Sequence, residues 1–299
     1  MGKQVYTSEN VLEATRKRIS DIFDNFKNVS VSISGGKDST VLHHIVDMAL
    51  PKNKIPRVYS NTGLDFLDLT RFVRQLAETD ERFFIIRPSQ NIRQMLEDFG
   101  YPFKSKFHAH ICDIYSRQGK TGCVKKYAEP VKNTPHSCPQ KLQFMFNAPL
   151  PFKISDKCCY KMKKEPFAKW EKENNRLIGL TGMRRAEEGL RGKINCLVFQ
   201  KGGLHRFHPL APCSDAFVNE FIKRFEIKLC RLYYPPYSFK RTGCVGCPFN
   251  IKLQEELNTL EALLPNEYRK AKFIWQKVYD FYRKINYRLK EKESCLKLL

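Results

Sequence analysis

The spacing of apolar and polar positions predicts alternating strands and helices over the first hundred residues. Apolar side chains recur at helical spacing over 8–27, and the segment Val-Ser-Val-Ser-Ile at 29–33 predicts a buried strand. The same alternation continues with helices and strands at 41–48, 57–60, 66–78, 82–86 and 92–99. Such alternation predicts an α/β, Rossmann-like fold with a parallel sheet, helices on both faces, and ligands bound beyond the carboxyl ends of the strands.

The pattern weakens after residue 100. Residues 101–175 show little periodicity, many lysines and five cysteines, which indicates a loop-rich, basic, cysteine-containing insertion. A strand at 176–183 and a helix at 214–229 follow, and a long basic and aromatic helix is predicted from 266 to about 291. We therefore expect a catalytic domain over 1–250 and a helical extension over 251–299.

Composition narrows the class of protein. The 299 residues carry a net charge of +22 and 11 cysteines. No apolar run is long enough to span a membrane and no signal core follows Met1, so we expect a cytoplasmic protein without a membrane partner. Cysteine thiols stay reduced in the cytoplasm, so metal or redox roles are favoured over disulfides for these cysteines. The positive charge favours polyanionic partners such as nucleic acid or nucleotides, although a basic surface without a specific partner also fits.

The segment 34–39, Ser-Gly-Gly-Lys-Asp-Ser, stands between a predicted strand and a predicted helix. Two glycines allow the backbone to approach an anion, and successive N–H groups at a helix N-terminus can bind phosphate. The hydroxyl groups of Ser34 and Ser39 add donors, and Lys37 adds positive charge. The longer spacing of the P-loop of kinases and GTPases is absent. These residues predict a phosphate site.

This segment resembles the SGGxDS motif of the PP-loop ATP pyrophosphatases. The resemblance implies that Ser34, Gly35, Gly36, Lys37, Asp38 and Ser39 bind ATP, which is split into AMP and pyrophosphate. Magnesium is the expected metal at the phosphates, with Asp38 near it, since hard cations prefer carboxylate and phosphate oxygens.

Further segments resemble the phosphoadenosine phosphosulfate (PAPS) reductase-like branch of that superfamily. Residues 60–66, Ser-Asn-Thr-Gly-Leu-Asp-Phe, are similar to a segment that follows the second strand in this branch. Residues 181–191 are similar to its G-x-R-x-x-E-S-x-x-R motif, with Gly189 in place of the serine, and His208-Pro209-Leu210 resembles the next element. The resemblance adds nucleotide-binding candidates, namely Thr62, Gly63, Gly182, Arg184 and Arg185. The catalytic residues that it implies are Lys37, Asp38, Arg184 and Arg191.

Four cysteines form the second chemical signal. Cys158 and Cys159 are adjacent, and Cys244 and Cys247 form a C-x-x-C turn that brings two thiolates close to one metal centre. The arrangement resembles that of sulfonucleotide reductases that hold a [4Fe–4S] cluster. Structural zinc is the alternative, although four-cysteine zinc sites commonly use two C-x-x-C turns. The lysines around the vicinal pair would stabilise an anionic cluster or an anionic substrate.

The remaining cysteines are less informative. Cys112, Cys123 and Cys138, with His108 and His110, form a candidate second metal site or are free thiols. Reductases of this family carry a nucleophilic cysteine in a C-terminal E-C-G-[LI]-H tail. The sequence around Cys295 lacks the glycine and the histidine of that tail, which argues against a direct reductase role.

Three functions follow as hypotheses. The first is ATP-dependent sulfur transfer to a nucleic acid, similar to DNA phosphorothioation or tRNA thiolation, with a cysteine desulfurase or another sulfur donor as partner. The second is an APS/PAPS reductase that releases sulfite. The third is a non-catalytic nucleic-acid-binding protein with a nucleotide fold. Basic and aromatic residues interleave in the last helix, where they would stack on bases or pack against the core.

Overall fold

The structure, a computed structural model, describes residues 8–130, 134, 137–187, 192–200 and 202–290. The chain divides into two compact units. The first, called the sheet unit, consists of Met1–Asn61, Leu67–Arg87 and Glu165–Thr242. The second, called the cysteine unit, consists of Thr62–Phe66, Pro88–Lys164 and Gly243–Leu299. The boundary predicted at residue 250 stays a prediction about folding domains.

The sheet unit contains one six-stranded sheet. Its strands are β1 (Val29–Ile33), β2 (Arg57–Ser60), β3 (Phe83–Ile86), β4 (Ile178–Leu180), β5 (Leu197–Gln200) and β6 (Gly203–Phe207). They lie in the order β3-β2-β1-β4-β6-β5, and every neighbouring pair is parallel except β5 and β6. The α/β prediction is thereby confirmed. Strand order reverses direction at β1 and β4, the position where open parallel sheets bind ligands.

Helices are found in both units. Their bounds are α1 (Ser8–Asn25), α2 (Lys37–Ala49), α3 (Leu67–Thr79), α4 (Ile92–Phe99), α5 (Lys106–Gln118), α6 (Gly122–Ala128), α7 (Glu165–Glu173), α8 (Asp215–Arg224), α9 (Leu253–Leu263) and α10 (Pro265–Lys284). Helices α1, α2, α3, α7 and α8 belong to the sheet unit. Val41, Leu42 and Ile45 of α2 are fully buried in the same core as Val31 of β1. Helices cover both faces of a parallel sheet, and the side chains of Val29, Val31 and Ile33 in β1 lie in the core.

The cysteine unit is more helical than the sequence suggested for 101–175. Helices α5 and α6 and a 3₁₀ helix at Gln140–Phe146 occupy this stretch. The buried side of α5 consists of residues such as His108, Ala109 and Cys112, which a search for aliphatic periodicity does not mark. Aromatic side chains also pack in this core, with the ring centroid of Phe103 at 4.7 Å from that of Tyr282.

Helix α10 confirms the predicted final helix and ends earlier, at Lys284. Trp275, Tyr279 and Tyr282 are at most 1% exposed, so these aromatic side chains pack inside the cysteine unit. Phe273 on the opposite side is 73% exposed. Across the described residues, no helix has the length and apolar character that crossing a membrane requires.

Candidate functional site: a phosphate loop and a four-cysteine pocket

The predicted phosphate loop joins the end of β1 to the start of α2. Gly35 has a φ of +71°, and a Cβ on it would stand 2.9 Å from side-chain carbons of both Leu69 and Val73. Glycine is therefore required by backbone conformation and by the close approach of α3. Gly36 caps α2 in an extended conformation without a side-chain hydrogen bond, which leaves the positive end of the helix dipole facing the loop.

Hydroxyl groups hold the loop in shape. The backbone N–H of Ser34 donates to Ser39 Oγ at 3.2 Å, and Ser39 Oγ donates to the carbonyl of Gly36 at 2.9 Å. The hydroxyl oxygens of Ser34 and Ser39 lie 3.0 Å apart. The two serines at the ends of the motif thus fix each other, and the turn is preorganised before any ligand arrives.

Residues far along the chain contact the loop from the same unit. The backbone N–H of Lys37 donates to Tyr233 Oη at 3.0 Å, and that hydroxyl lies 2.9 Å from Thr242 Oγ1. The ammonium group of Lys37 donates to Asn219 Oδ1 of α8 at 3.2 Å. Sequence analysis did not connect Tyr233, Thr242 and Asn219 with the loop, because these residues stand between 182 and 205 positions after Lys37 in the chain.

Arg184 contacts the first turn of α2, where the loop ends, and its side chain is buried, with 2% of the residue exposed. Its Nε donates to Asp38 Oδ1 at 2.8 Å, and its Nη2 donates to Asp215 Oδ1 at 2.6 Å. The hydrogen bond from Arg184 lowers the pKa of Asp215. Burial alone would lower the pKa of Arg184, yet the two carboxylates raise it overall. The guanidinium predicted to contact phosphate is engaged by protein carboxylates here, so it positions Asp38.

Gly182 explains how this arginine reaches the loop. A Cβ on Gly182 would stand 2.8 Å from the backbone oxygen of Asp38 and 3.0 Å from the backbone nitrogen of Ser39. Only glycine permits the segment after β4 to pack directly on the first turn of α2. The backbone of Gly182 thus lies against the loop, and the nucleotide-binding role predicted for it stays a prediction.

The other predicted nucleotide residues fall in different places. Arg185 is exposed, and its Nε donates to the carbonyl of Ile194 at 2.9 Å. Thr62 and Gly63 belong to the cysteine unit, where Thr62 Oγ1 donates to Asp65 Oδ2 at 3.0 Å. Arg191 lies outside the described residues.

The four predicted metal ligands come together in the cysteine unit. A pocket in this unit is lined by both cysteine pairs and by apolar and basic neighbours, namely Leu64, Pro102, Cys158, Cys159, Met162, Lys163, Cys244, Cys247, Phe249 and Trp275. Cys158 and Cys159 begin a helical turn that continues as a π-helix at Tyr160–Lys164, an irregularity that often marks functional sites. Two segments distant in sequence therefore supply four thiols to one enclosure.

The C-x-x-C turn is held rigidly by its surroundings. Gly246, inside the turn, has a φ of +59°, and a Cβ on it would stand 2.3 Å from Tyr279 Oη and 2.6 Å from Ala271 Cβ. Trp275 Nε1 donates to the carbonyl of Val245 at 2.9 Å, and Tyr279 donates to the carbonyl of Gly246. The buried aromatic side chains of α10 thus fix the position of Cys244 and Cys247.

Charge in the pocket is arranged around Lys163. Its ammonium group lies 3.2 Å from Asp65 Oδ1 and is hydrogen-bonded to Cys244. Burial alone would lower the pKa of Lys163, but Cys244 and Asp65 raise it overall. Lys163 is one of the lysines around the vicinal pair to which the sequence pointed, whereas its partner Asp65 was not predicted.

Burial raises the pKa of Cys158, Cys244 and Cys247 above the ordinary thiol value. Thiolates in this pocket therefore require a cation to balance their charge. Within the described ranges, no three His, Cys, Asp or Glu side chains are placed to hold a single metal ion.

The second candidate metal site does not assemble among the described residues. His110 pairs with Asp156 at 3.6 Å, and the exposed Cys123 contacts the hydroxyl of Thr121 at 3.2 Å. Cys112 and Cys138 are buried free thiols. Cys295 lies outside the described part of the chain.

A scan against protein-family models matches the phosphoadenosine phosphosulfate reductase domain over residues 28–134 and 123–250. This match covers most of the chain, which therefore belongs to the PAPS reductase domain family. The resemblance of the sequence to this family is thereby confirmed, and the six-stranded sheet agrees with the predicted α/β fold. A search of curated proteins finds no match to the chain.

Solved structures with a similar fold include three enzymes at low sequence identity. The phosphoadenylyl-sulfate (PAPS) reductase of Candida auris, in a phosphate complex, is 13% identical with a TM-score of 0.48, covering 81% of this chain and 98% of its own. The NH3-dependent NAD synthetase of Campylobacter jejuni is 14% identical with a TM-score of 0.41, covering 94% and 97%. The U34-tRNA thiolase of Methanococcus maripaludis, with its [4Fe-4S] cluster, is 14% identical with a TM-score of 0.39, covering 97% and 84%.

Proposed function

We propose that this protein is an ATP-dependent sulfur-transfer enzyme that carries a [4Fe–4S] cluster and acts on a nucleic acid. The observation that carries the proposal is the enclosure of four thiols from two distant segments in one pocket beside Lys163. The preorganised phosphate loop supports the nucleotide half of the reaction, and the family match supports sulfur chemistry.

The pocket suits a cluster of this kind. Each cysteine of a four-cysteine cluster binds a different iron, so the sulfur atoms stand farther apart than around one ion. Burial disfavours free thiolates in this pocket, so thiolate ligands need cations to balance their charge, and the ammonium of Lys163 supplies one beside Cys244. Cys158, Cys159, Cys244 and Cys247 would hold it. When bound, the cluster would supply iron at which sulfide can be held.

The loop's residues would act on the triphosphate. The N–H groups of the first turn of α2 and the ammonium of Lys37 would bind phosphate oxygens as charge shifts onto pyrophosphate. Asp38 is the carboxylate of that turn and would lie beside the magnesium that accompanies ATP, while Arg184 fixes its orientation.

The reaction then balances in two steps. A substrate oxygen attacks the α-phosphorus of ATP and forms an O–P bond, and the bond to the β-phosphate breaks to release pyrophosphate. Sulfide next attacks the activated substrate atom and forms the bond to sulfur, and AMP leaves with the original oxygen. A cysteine desulfurase is one donor class: it supplies a persulfide, and a thiol reductant that is oxidised to a disulfide releases the outer sulfur as sulfide.

Charge and exposed aromatic surface support a nucleic-acid substrate. The chain carries a net charge of +22. On α10, the exposed Phe273 lies on the same outward-facing side as Lys277 and Lys284. Lys277 and Lys284 also line an open groove with Phe152 and Phe281. Cations beside an aromatic platform suit phosphates and stacked bases.

The test is formation of AMP and pyrophosphate from ATP by the anaerobically purified, iron-loaded protein, with total nucleic acid as acceptor. Lys37→Ala and Asp38→Ala should reduce both products at least a hundredfold while the circular dichroism spectrum stays unchanged. Lys169→Ala, on an exposed lysine of α7, is the matched control and should retain activity. Unchanged turnover in the loop variants would contradict the proposal.

The sulfonucleotide reductase alternative is tested with the same preparation. The family match is the observation that favours it. Release of sulfite from adenylyl sulfate or its 3′-phosphorylated form, with a thiol reductant and without ATP, would support that alternative.

A further inference from the structure

A tyrosine from outside the motif also contacts the phosphate loop. Tyr233 stands at the end of a 3₁₀ helix at Arg231–Tyr233, next to the fully buried Leu232. Its hydroxyl accepts from the backbone N–H of Lys37 at 3.0 Å. That N–H belongs to the first turn of α2, whose amides have no partner within the helix. The hydroxyl therefore occupies a position at which a bound phosphate oxygen would accept the same hydrogen bond.

The surroundings of Gly36 show that hydroxyl groups lie close to the loop on this side. A Cβ placed on Gly36 would have Ser34 Oγ at 3.2 Å, Tyr233 Oη at 3.3 Å and Thr242 Oγ1 at 3.5 Å. Three hydroxyl oxygens thus crowd this side of Gly36. The hydroxyl of Tyr233 is itself held by Thr242, at 2.9 Å.

We propose that Tyr233 is a gate on the phosphate loop: its hydroxyl substitutes for a phosphate oxygen in the unliganded protein and is displaced when the triphosphate binds. The inference rests on the proposed function, because it takes the loop to be the phosphate site. It adds a regulatory residue that the family motifs do not contain. Binding energy from the phosphates is then reduced by the free energy of the Lys37–Tyr233 hydrogen bond that must break.

The gate predicts an unusual direction of effect. Removing a hydroxyl from a binding site ordinarily weakens binding. Here Tyr233→Phe should tighten binding, since the competing acceptor is gone while the ring keeps its packing. A neutral hydrogen bond of ordinary net strength corresponds to about a two- to tenfold decrease in Kd. If the hydroxyl instead donates to the bound phosphate, the same variant weakens binding.

Calorimetric titration of the full-length protein with inorganic pyrophosphate, and separately with the α,β-methylene analogue of ATP, tests the gate. Tyr234→Phe is the matched control, because Tyr234 is the adjacent tyrosine, is 44% exposed and accepts from the N–H of Leu229 at 3.1 Å, away from the loop. We expect Tyr233→Phe to bind both probes about two- to tenfold more tightly and Tyr234→Phe to match the wild type.

Amide hydrogen exchange at Lys37 provides a readout that needs no ligand. In the unliganded protein, exchange of this amide should be faster in Tyr233→Phe than in the wild type and unchanged in Tyr234→Phe. Equal or weaker pyrophosphate binding by Tyr233→Phe, with the wild type binding normally, would overturn the gate and leave the proposed function intact. Absence of pyrophosphate binding by the wild type would overturn both.

Discussion

Gly246 in the C-x-x-C turn offers a sharp test of how the cysteine unit holds its thiols. Gly246→Ala places a methyl group 2.3 Å from Tyr279 Oη and 2.6 Å from Ala271 Cβ, at a φ of +59°. The left-handed conformation costs a non-glycine residue about 1–2 kcal/mol, and forcing extra volume into a packed core costs about 1–3 kcal/mol. The methyl group also displaces Tyr279, whose hydrogen bond to the Gly246 carbonyl is worth about 1 kcal/mol. We expect a loss of about 4 kcal/mol in the free energy of unfolding.

Gly63→Ala separates the cost of the left-handed backbone conformation from the cost of steric overlap. Gly63 has a φ of +73° in the same unit, but a Cβ there meets no atom within 4 Å. Its substitution should therefore cost only the conformational penalty of about 1–2 kcal/mol. Urea denaturation of the metal-free protein, followed by Trp275 fluorescence in a Trp170→Phe background, measures both values. If Gly246→Ala were destabilised no more than Gly63→Ala, the described packing of α10 against the turn would be wrong.

Two further predictions concern pH and nucleic acid. Burial lowers the pKa of the fully buried His108 to about 3, so its neutral form stabilises the fold above the unfolded pKa near 6.5, and that stability is lost as pH falls. Urea midpoints should show a loss of about 2 kcal/mol from this residue between pH 7 and pH 5, absent in His108→Gln; equal losses in both proteins would contradict the assignment. Lys277→Glu with Lys284→Glu should weaken binding of single-stranded oligonucleotides in fluorescence anisotropy and reduce the salt slope by about 1.4, whereas Lys169→Glu with Lys172→Glu on α7 should leave both unchanged. Equal effects of the two double variants would show that only total charge matters.

The sequence alone was sufficient for the elements with strong local signals. The Val-Ser-Val-Ser-Ile segment at 29–33 and the SGGKDS segment after it predicted β1, the loop and the start of α2, because a β-branched strand and a glycine turn each have a local signature. The parallel sheet followed from the alternation of strands and helices. Family motifs pointed to the four cysteines, which line one pocket.

What the sequence could not predict depends on tertiary contacts. Arg184 carried a motif that suggested phosphate contact, but nothing local indicates that Asp38 and Asp215 engage its guanidinium. The contacts of Tyr233 with the loop and of Asp65 with Lys163 likewise join distant segments. The helices of 101–175 were missed because their buried sides mix small, polar and aromatic residues such as His108, Cys112 and Tyr127 with few aliphatic ones, which weakens the periodicity on which helix prediction depends.

Transfer of labelled sulfur is the most direct measurement. The iron-loaded protein would be incubated anaerobically with ATP, a ³⁵S-labelled persulfide or sulfide donor, and DNA or tRNA, and both the label in the nucleic acid and the AMP formed would be counted. We expect label in the nucleic acid with one AMP formed per sulfur transferred. Cys244→Ser should lose both the label and the AMP, and Cys123→Ser should retain them. Labelling that needs no ATP, or a polymer that stays unlabelled while sulfite is released from a sulfonucleotide, would contradict it.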